Sequence, residues 1–187
     1  AATILLVAGG LYLLVGLCLW LSIKEKMKRH DSFGNIKEVL KREGLDPKVH
    51  DPRRIRWQID QWKNAGLLPP AVVDRAADLD EKLVAKLYAK YQQKLADAEA
   101  LDFGDLRLLP TELFRRHPRV LEHYQRKYSY VLVDEYQDTN HLQSEIVETI
   151  SGPKGSLMVV GGDAQSIYAF RGDNFGNIIE FPDRFPG

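Results

Sequence analysis

The sequence predicts an α/β protein: a parallel sheet in the C-terminal half, a helical subdomain before it, and a hydrophobic helix at the N-terminus. Three observations carry this. Two short apolar runs, Tyr128–Val133 and Leu157–Val160, flank a helix-like segment. That spacing is the mark of a βαβ unit with parallel strands. Residues 31–98 repeat apolar side chains every three or four positions, the helical period. Ile4 to Ile23 is a run of 20 residues with no charged side chain.

The N-terminal run is the first element. About 20 apolar residues at ~1.5 Å rise cross a ~30 Å hydrocarbon layer. Residues 24–30 supply a basic flank with Lys24, Lys26, Lys28 and Arg29, which the positive-inside rule keeps in the cytoplasm. Residues 1–23 are therefore expected to form a transmembrane helix, anchoring a cytoplasmic chain through residues 4–23. A cleaved signal peptide fits less well, because no Lys or Arg precedes the run and no small-x-small site closes it. A buried core helix is the bland alternative.

Charge separates the remainder. The 187 residues sum to zero, yet residues 24–94 carry +6 and residues 95–187 carry −6. The first value suits an anionic partner and the second a metal or nucleotide site. Cys18 is the single cysteine, which excludes an intrachain disulfide and a cysteine-based zinc site.

Residues 31–98 are expected to be helices. Ser32 caps a segment with Ile36, Val39 and Leu40 on one face, and Gly44 stands where a helix ends. Asp51-Pro52 reads as an N-cap followed by proline at the first helical position. Ile55, Ile59 and Trp62 continue that helix until Gly66 and Pro69-Pro70 stop it. Leu79, Leu83, Leu87, Tyr91 and Leu95 stripe a longer helix. Arg53, Arg54, Arg56, Lys63, Lys82, Lys86, Lys90 and Lys94 are assigned to the outer faces. Such a surface binds phosphates or is merely solvated, and this segment alone favours the second.

In the C-terminal part, the first apolar strand ends at Asp134-Glu135. Asn140 with Gln143 three residues on begins a helix as a capping box. Leu157–Val160 then runs into Gly161-Gly162-Asp163. Ligands of parallel sheets bind at the carboxyl ends of the strands, where Asp134, Glu135 and Asp163 fall. Adjacent carboxylates there suit nucleotide hydrolysis: one holds a cation and the other takes a proton from the attacking water. A strand ending in two acids is by itself more often a surface feature than a site.

Longer stretches carry more information. Val131–Asn140, reading VLVDEYQDTN, resembles motif II of the UvrD/Rep-type superfamily 1 DNA helicases. Val159–Gly172, reading VVGGDAQSIYAFRG, resembles their motif III, and Ala100–Leu106 is similar to another signature of the family. The resemblance covers roughly residues 31–187. It implies a partial RecA-like, P-loop-NTPase-type sheet over residues 99–187, with residues 31–98 as the inserted helical subdomain that grips DNA. It implies an ATP-dependent helicase using ATP and Mg²⁺, with Asp134 as the magnesium-associated carboxylate and Glu135 as the general base. Gln165 is implied as the γ-phosphate sensor. Tyr168 and Phe170 are implied as aromatics meeting single-stranded DNA, and Arg171 as a contact to DNA or the neighbouring motor domain.

The sequence also departs from that pattern. No Gly-x-x-x-x-Gly-Lys-Ser/Thr occurs, and Gly9-Gly10 is followed by Leu11-Tyr12-Leu13; without that loop no backbone cradle and no lysine hold the β- and γ-phosphates. Gly162 and Ala164 stand where acids are usual in the family, and Gly104 where an acid is common. Pro110 is expected to break or restart its helix. The sequence therefore reads as a helicase fragment without its P-loop and second motor domain, and inactive alone. The alternative is a membrane-anchored, non-catalytic DNA-binding or scaffolding remnant.

Overall fold

Asp51 begins a helix as its sequence suggests: its carboxylate accepts from the Arg53 backbone N–H at 2.9 Å, and Pro52 fills a position needing no donor. The computed structural model describes residues 4–7, 32–153, 156–162 and 176–185. The chain divides into two compact units, residues 22–108 and residues 1–21 with 109–187.

Within 22–108, the described residues form in order the helices α1 (Ser32–Arg42), α2 (Pro52–Asn64), α3 (Pro69–Arg75) and α4 (Leu79–Asp97). Asp78 caps α4, accepting from the Glu81 N–H at 2.8 Å. Ile36 and Leu40 of α1, Ile59 of α2, Val72 of α3 and Leu87 and Tyr91 of α4 meet in one apolar core. Trp62 stacks on Tyr88 with ring centroids 6.1 Å apart. Pro69-Pro70 does more than end α2. It opens α3, because proline is pre-set for a first helical turn. Leu79, expected at the head of a buried stripe, is 86% exposed. It is the first residue of α4, one turn short of the core.

Helix α5 (Asp105–Arg116) passes through Pro110 unbroken. The expected break does not occur: one hydrogen bond is forfeited, while Leu108 and Phe114 on either side are buried and hold the helix in place.

The sheet unit adds α6 (Pro118–Lys127), α7 (His141–Ser151), α8 (Gly176–Arg184) and a parallel sheet in the order β1 (Ile4–Val7), β2 (Tyr130–Val133), β3 (Ser156–Val159). β2 and β3 pair in register from Tyr130 opposite Ser156 to Val133 opposite Val159. The connection through α7 makes the expected βαβ unit. Asn140 and Gln143 form the expected capping box, each side chain accepting from the other's backbone N–H at 3.0 and 2.9 Å. Val131, Val133, Ile146, Val147 and Ile150 build the core beneath. Among the described residues β3 is not covered on both faces. It ends the strand order, and Met158 is 58% exposed.

The expected N-terminal hydrophobic helix fails at its start. Ile4–Val7 is a strand, paired in parallel with β2 from Ile4 opposite Tyr130 to Val7 opposite Val133. The open edge of β2 satisfies the backbone groups of this segment, and its β-branched and leucine side chains suit a strand as well as a helix. The rest of the expected span, residues 8–23, lies outside the described residues. Among the described residues no helix is long and apolar enough to cross a membrane.

Candidate active site

Asp134 and Glu135 follow β2 directly, at the carboxyl end of the central strand and beside the corresponding end of β3. The backbone turns sharply here. Glu135 adopts φ 56° and ψ 43°, the left-handed region that costs a residue with a Cβ about 1–2 kcal/mol. Strain of this kind persists where surrounding bonds over-determine it. The Asp134 carboxylate accepts from the Glu135 N–H at 2.9 Å. The Tyr136 N–H donates to the Val160 carbonyl at 3.0 Å, and the Val160 N–H to the Val133 carbonyl at 2.7 Å. A 3-10 turn, Tyr136–Asp138, then leads to Thr139, whose hydroxyl donates to the Tyr136 carbonyl at 2.6 Å.

Tyr136 anchors the turn from below. Its side chain is fully buried, its hydroxyl donates to Glu148 Oε1 at 2.8 Å, and its ring meets Phe181 edge-on at 5.6 Å. Arg184 pairs with the same Glu148 oxygen at 2.7 Å. Burial, then the hydrogen bond to the Glu148 carboxylate, push the Tyr136 phenol well above its ordinary range. It acts as a structural donor and not as an acid.

The two carboxylates differ in setting. Asp134 is exposed, whereas Glu135 is half-buried and accepts from the Gln137 amide nitrogen at Oε2. Gln137 is fully buried, and its own oxygen accepts from the Gly162 N–H at 3.2 Å. Sequence reasoning passed over Gln137; its role depends on Gly162, and no local spacing announces that contact. An exposed aspartate at a strand end offers hard oxygen ligands, which suit Mg²⁺ held by one or two carboxylates together with substrate phosphates. Among the described residues no group of three or more potential ligands forms a complete metal cage. Gln165, Tyr168, Phe170 and Arg171, with Asp163, lie outside the described residues.

A second polar cluster sits in the helical unit. Lys63, assigned above to a basic outer face, is wholly buried, donating to Asp102 and to Asp105 at 2.7 Å each. Its position extends the Ile55–Ile59 row by one more step of four, which turns it inward; that spacing was the available signal. Gly104 leaves room for it, since a Cβ there would come within 2.6 Å of Lys63 Cδ. The rest of the supposed basic face is largely balanced by acids: Arg54 pairs with Asp80, Lys94 with Glu38, and Lys86 with Glu43 at 2.9 Å.

The motif order now has a geometric counterpart, with the acid pair of Val131–Asn140 beside the strand that opens Val159–Gly172. The family profile of the UvrD/REP helicase N-terminal domain matches residues 20–186. The chain belongs to the UvrD/REP helicase family. It is 40% identical over 158 residues to a probable DNA helicase II homolog of Rickettsia felis, which is 84% of this chain and 24% of that protein. It is 42% identical over 151 residues to the ATP-dependent DNA helicase PcrA of Staphylococcus aureus, covering 81% of this chain and 21% of that one. The DNA helicase II of Rickettsia typhi is 40% identical over 159 residues. The chain thus spans about a quarter or less of the length of these relatives.

Proposed function

We propose that the chain supplies the hydrolytic edge of an ATP-driven DNA motor. The observation that carries this is the Asp134-Glu135 pair at the carboxyl end of the central parallel strand, next to the end of β3. In this reading Asp134 holds Mg²⁺, which offsets charge on the phosphates when bound. Glu135, half-buried and fixed by one hydrogen bond, takes the proton of the attacking water. Gln165 would sense the γ-phosphate, while Tyr168, Phe170 and Arg171 would meet single-stranded DNA. Stacking on such aromatics contributes ~1–3 kcal/mol per base. Residues 31–98 would grip DNA as the inserted subdomain, and residues 99–187 would form the partial motor domain.

No Gly-x-x-x-x-Gly-Lys-Ser/Thr is present in these 187 residues, so nucleotide binding by them alone is weak and turnover close to background. The test uses Mn²⁺ in place of Mg²⁺. Paramagnetic broadening of the Asp134 and Glu135 resonances by Mn²⁺ with ATP, lost in Asp134→Ala, is the expected result. Broadening spread evenly over surface carboxylates overturns the assignment of Asp134. ATP turnover well above background that Glu135→Gln abolishes overturns the expectation of an inactive chain.

A further inference from the structure

We propose that Gln137 is a positioning residue: its side-chain amide orients the Glu135 carboxylate and ties it to the backbone leaving β3 at Gly162. The inference rests on the hydrolytic reading of Glu135 and adds a residue to that site.

The amide's orientation is settled by its partners. A backbone N–H can only donate, so the Gly162 N–H, 3.2 Å away, must face the Gln137 oxygen. The nitrogen is thereby turned to the Glu135 carboxylate, which can only accept. Both requirements agree on one rotamer. The side chain is fully buried, where water does not replace a lost partner and an unmade bond costs its full desolvation.

Two further bonds make the arrangement a lattice rather than a single contact. The Val160 carbonyl accepts from the Tyr136 N–H at 3.0 Å, one residue before Gln137, while Gly162 donates to Gln137 itself. Alternate residues leaving β3 thus grip successive residues of the turn after Glu135. The Asp138 N–H closes that turn on the Glu135 carbonyl at 3.0 Å. A left-handed Glu135 would relax if the turn loosened. Gln137 is the side chain spanning the turn, from the carboxylate at one end to the β3 exit at the other. A shift of Gly162 therefore reaches the Glu135 carboxylate through one rigid amide.

The experiment is side-chain NMR on the full 187-residue protein. The Gln137 Nε2 and Hε2 resonances are expected to shift in Glu135→Ala, which removes the acceptor carboxylate, and the side-chain amide protons to exchange faster there by roughly two- to tenfold, the loss of one ordinary hydrogen bond. Gln137→Met, nearly equal in size, should speed Gly162 amide exchange by roughly two- to tenfold, the loss of one ordinary hydrogen bond. Gln137→Glu keeps an acceptor for Gly162 but sets a carboxylate against Glu135, so Gly162 protection should persist while the Glu135 carboxyl carbon shifts. Gln137 side-chain resonances and exchange that are unchanged in Glu135→Ala overturn the proposal, as does unchanged Gly162 exchange in a folded Gln137→Met. Should either Gln137 variant fail to fold, the Gln137 side-chain resonances of the wild type and of Glu135→Ala still decide. None of these measurements uses nucleotide or metal. Failure of the Mn²⁺ experiment at Asp134 would thus remove the hydrolytic reading while leaving the Gln137 coupling separately measured.

Discussion

Lys63 and Asp105 are both completely buried, and the lysine ammonium donates to the carboxylate at 2.7 Å. Asp102 takes a second bond from the same ammonium, the Tyr91 hydroxyl donates to Asp102 at 2.9 Å, and the Gln92 amide donates to Asp105 at 2.7 Å. The two aspartates also cap one another's backbone N–H groups, at 3.1 and 2.9 Å. The cluster binds α2, α4 and the first turn of α5 together. A buried charge that loses its partner is costly, so Lys63→Met is expected to destabilise folding by about 3–5 kcal/mol. Urea denaturation followed by circular dichroism measures it. A loss below about 1 kcal/mol would mean that the two carboxylates are effectively solvated.

The same cluster gives two opposite pH signatures, because one ammonium serves two carboxylates. Burial raises Asp102, but the Lys63 charge and hydrogen bonds from Lys63, the Asp105 backbone and Tyr91 outweigh it, leaving Asp102 below its ordinary range. Burial, then the charge of Asp102, hold Asp105 above its ordinary range despite Lys63. The stabilisation from Asp102 is present above its unfolded value, near ~3.9, and is lost as pH falls through the lower folded one. The contribution of Asp105 is present at low pH and lost as pH rises through its raised folded value. The advantage of the wild type over Asp102→Asn should therefore shrink on acidification, and its advantage over Asp105→Asn should shrink as pH rises. Melting temperatures across pH check both signs.

The left-handed Glu135 predicts an inverted substitution order. Glycine normally destabilises a structured position relative to alanine, but at φ 56° only alanine carries the Cβ penalty. Glu135→Gly should be about 1 kcal/mol more stable than Glu135→Ala, both lacking the carboxylate. Equal stabilities would show that the turn relaxes once the side chain is gone.

What the sequence disclosed was set by distance along the chain. The Asp51-Pro52 cap, the Asn140–Gln143 box and the β2–α7–β3 unit each depend on residues a few positions apart, and all three form as expected. Ile4–Val7 is different. Its composition suits a helix or a strand, and pairing with Tyr130–Val133, far along the chain, decides between them. Lys63 was legible in principle as the cation on the Ile55–Ile59 row, yet its partners Asp102 and Asp105 lie beyond any periodicity. The Asp134-Glu135 pair was evident from its strand. The strained backbone of Glu135 and its link to Gly162 through Gln137 exist only once β2 and β3 lie side by side.

The capping box offers a cleaner energetic test. Asn140 and Gln143 satisfy one another's backbone donors, so removing either side chain leaves one N–H unpaired at a buried helix start. Asn140→Ala is expected to cost about 0.5–2 kcal/mol. The double variant with Gln143→Ala should cost less than the sum of the two single losses if the bonds support each other. Strict additivity would mark two independent caps.

Gly44 and Gly152 separate backbone strain from crowding. Both have positive φ, 70° and 63°. A Cβ on Gly44 would meet nothing within 4 Å, so Gly44→Ala should cost only the left-handed penalty, about 1–2 kcal/mol. Gly152 ends α7 at ψ 177°, a region that is essentially restricted to glycine, where strain alone is of order 1–3 kcal/mol. Its Cβ would also lie 2.9 Å from Gln125 Nε2, the nitrogen that donates to the Thr149 carbonyl at 2.8 Å. Gly152→Ala must therefore both strain the chain and push Gln125 off its acceptor, costing more than Gly44→Ala. In a Gln125→Ala background the crowding is gone and the strain remains. The cost of Gly152→Ala should fall there towards the strain value but not to zero. If it is unchanged, Gln125 swings aside freely and backbone geometry alone selects glycine at the end of α7.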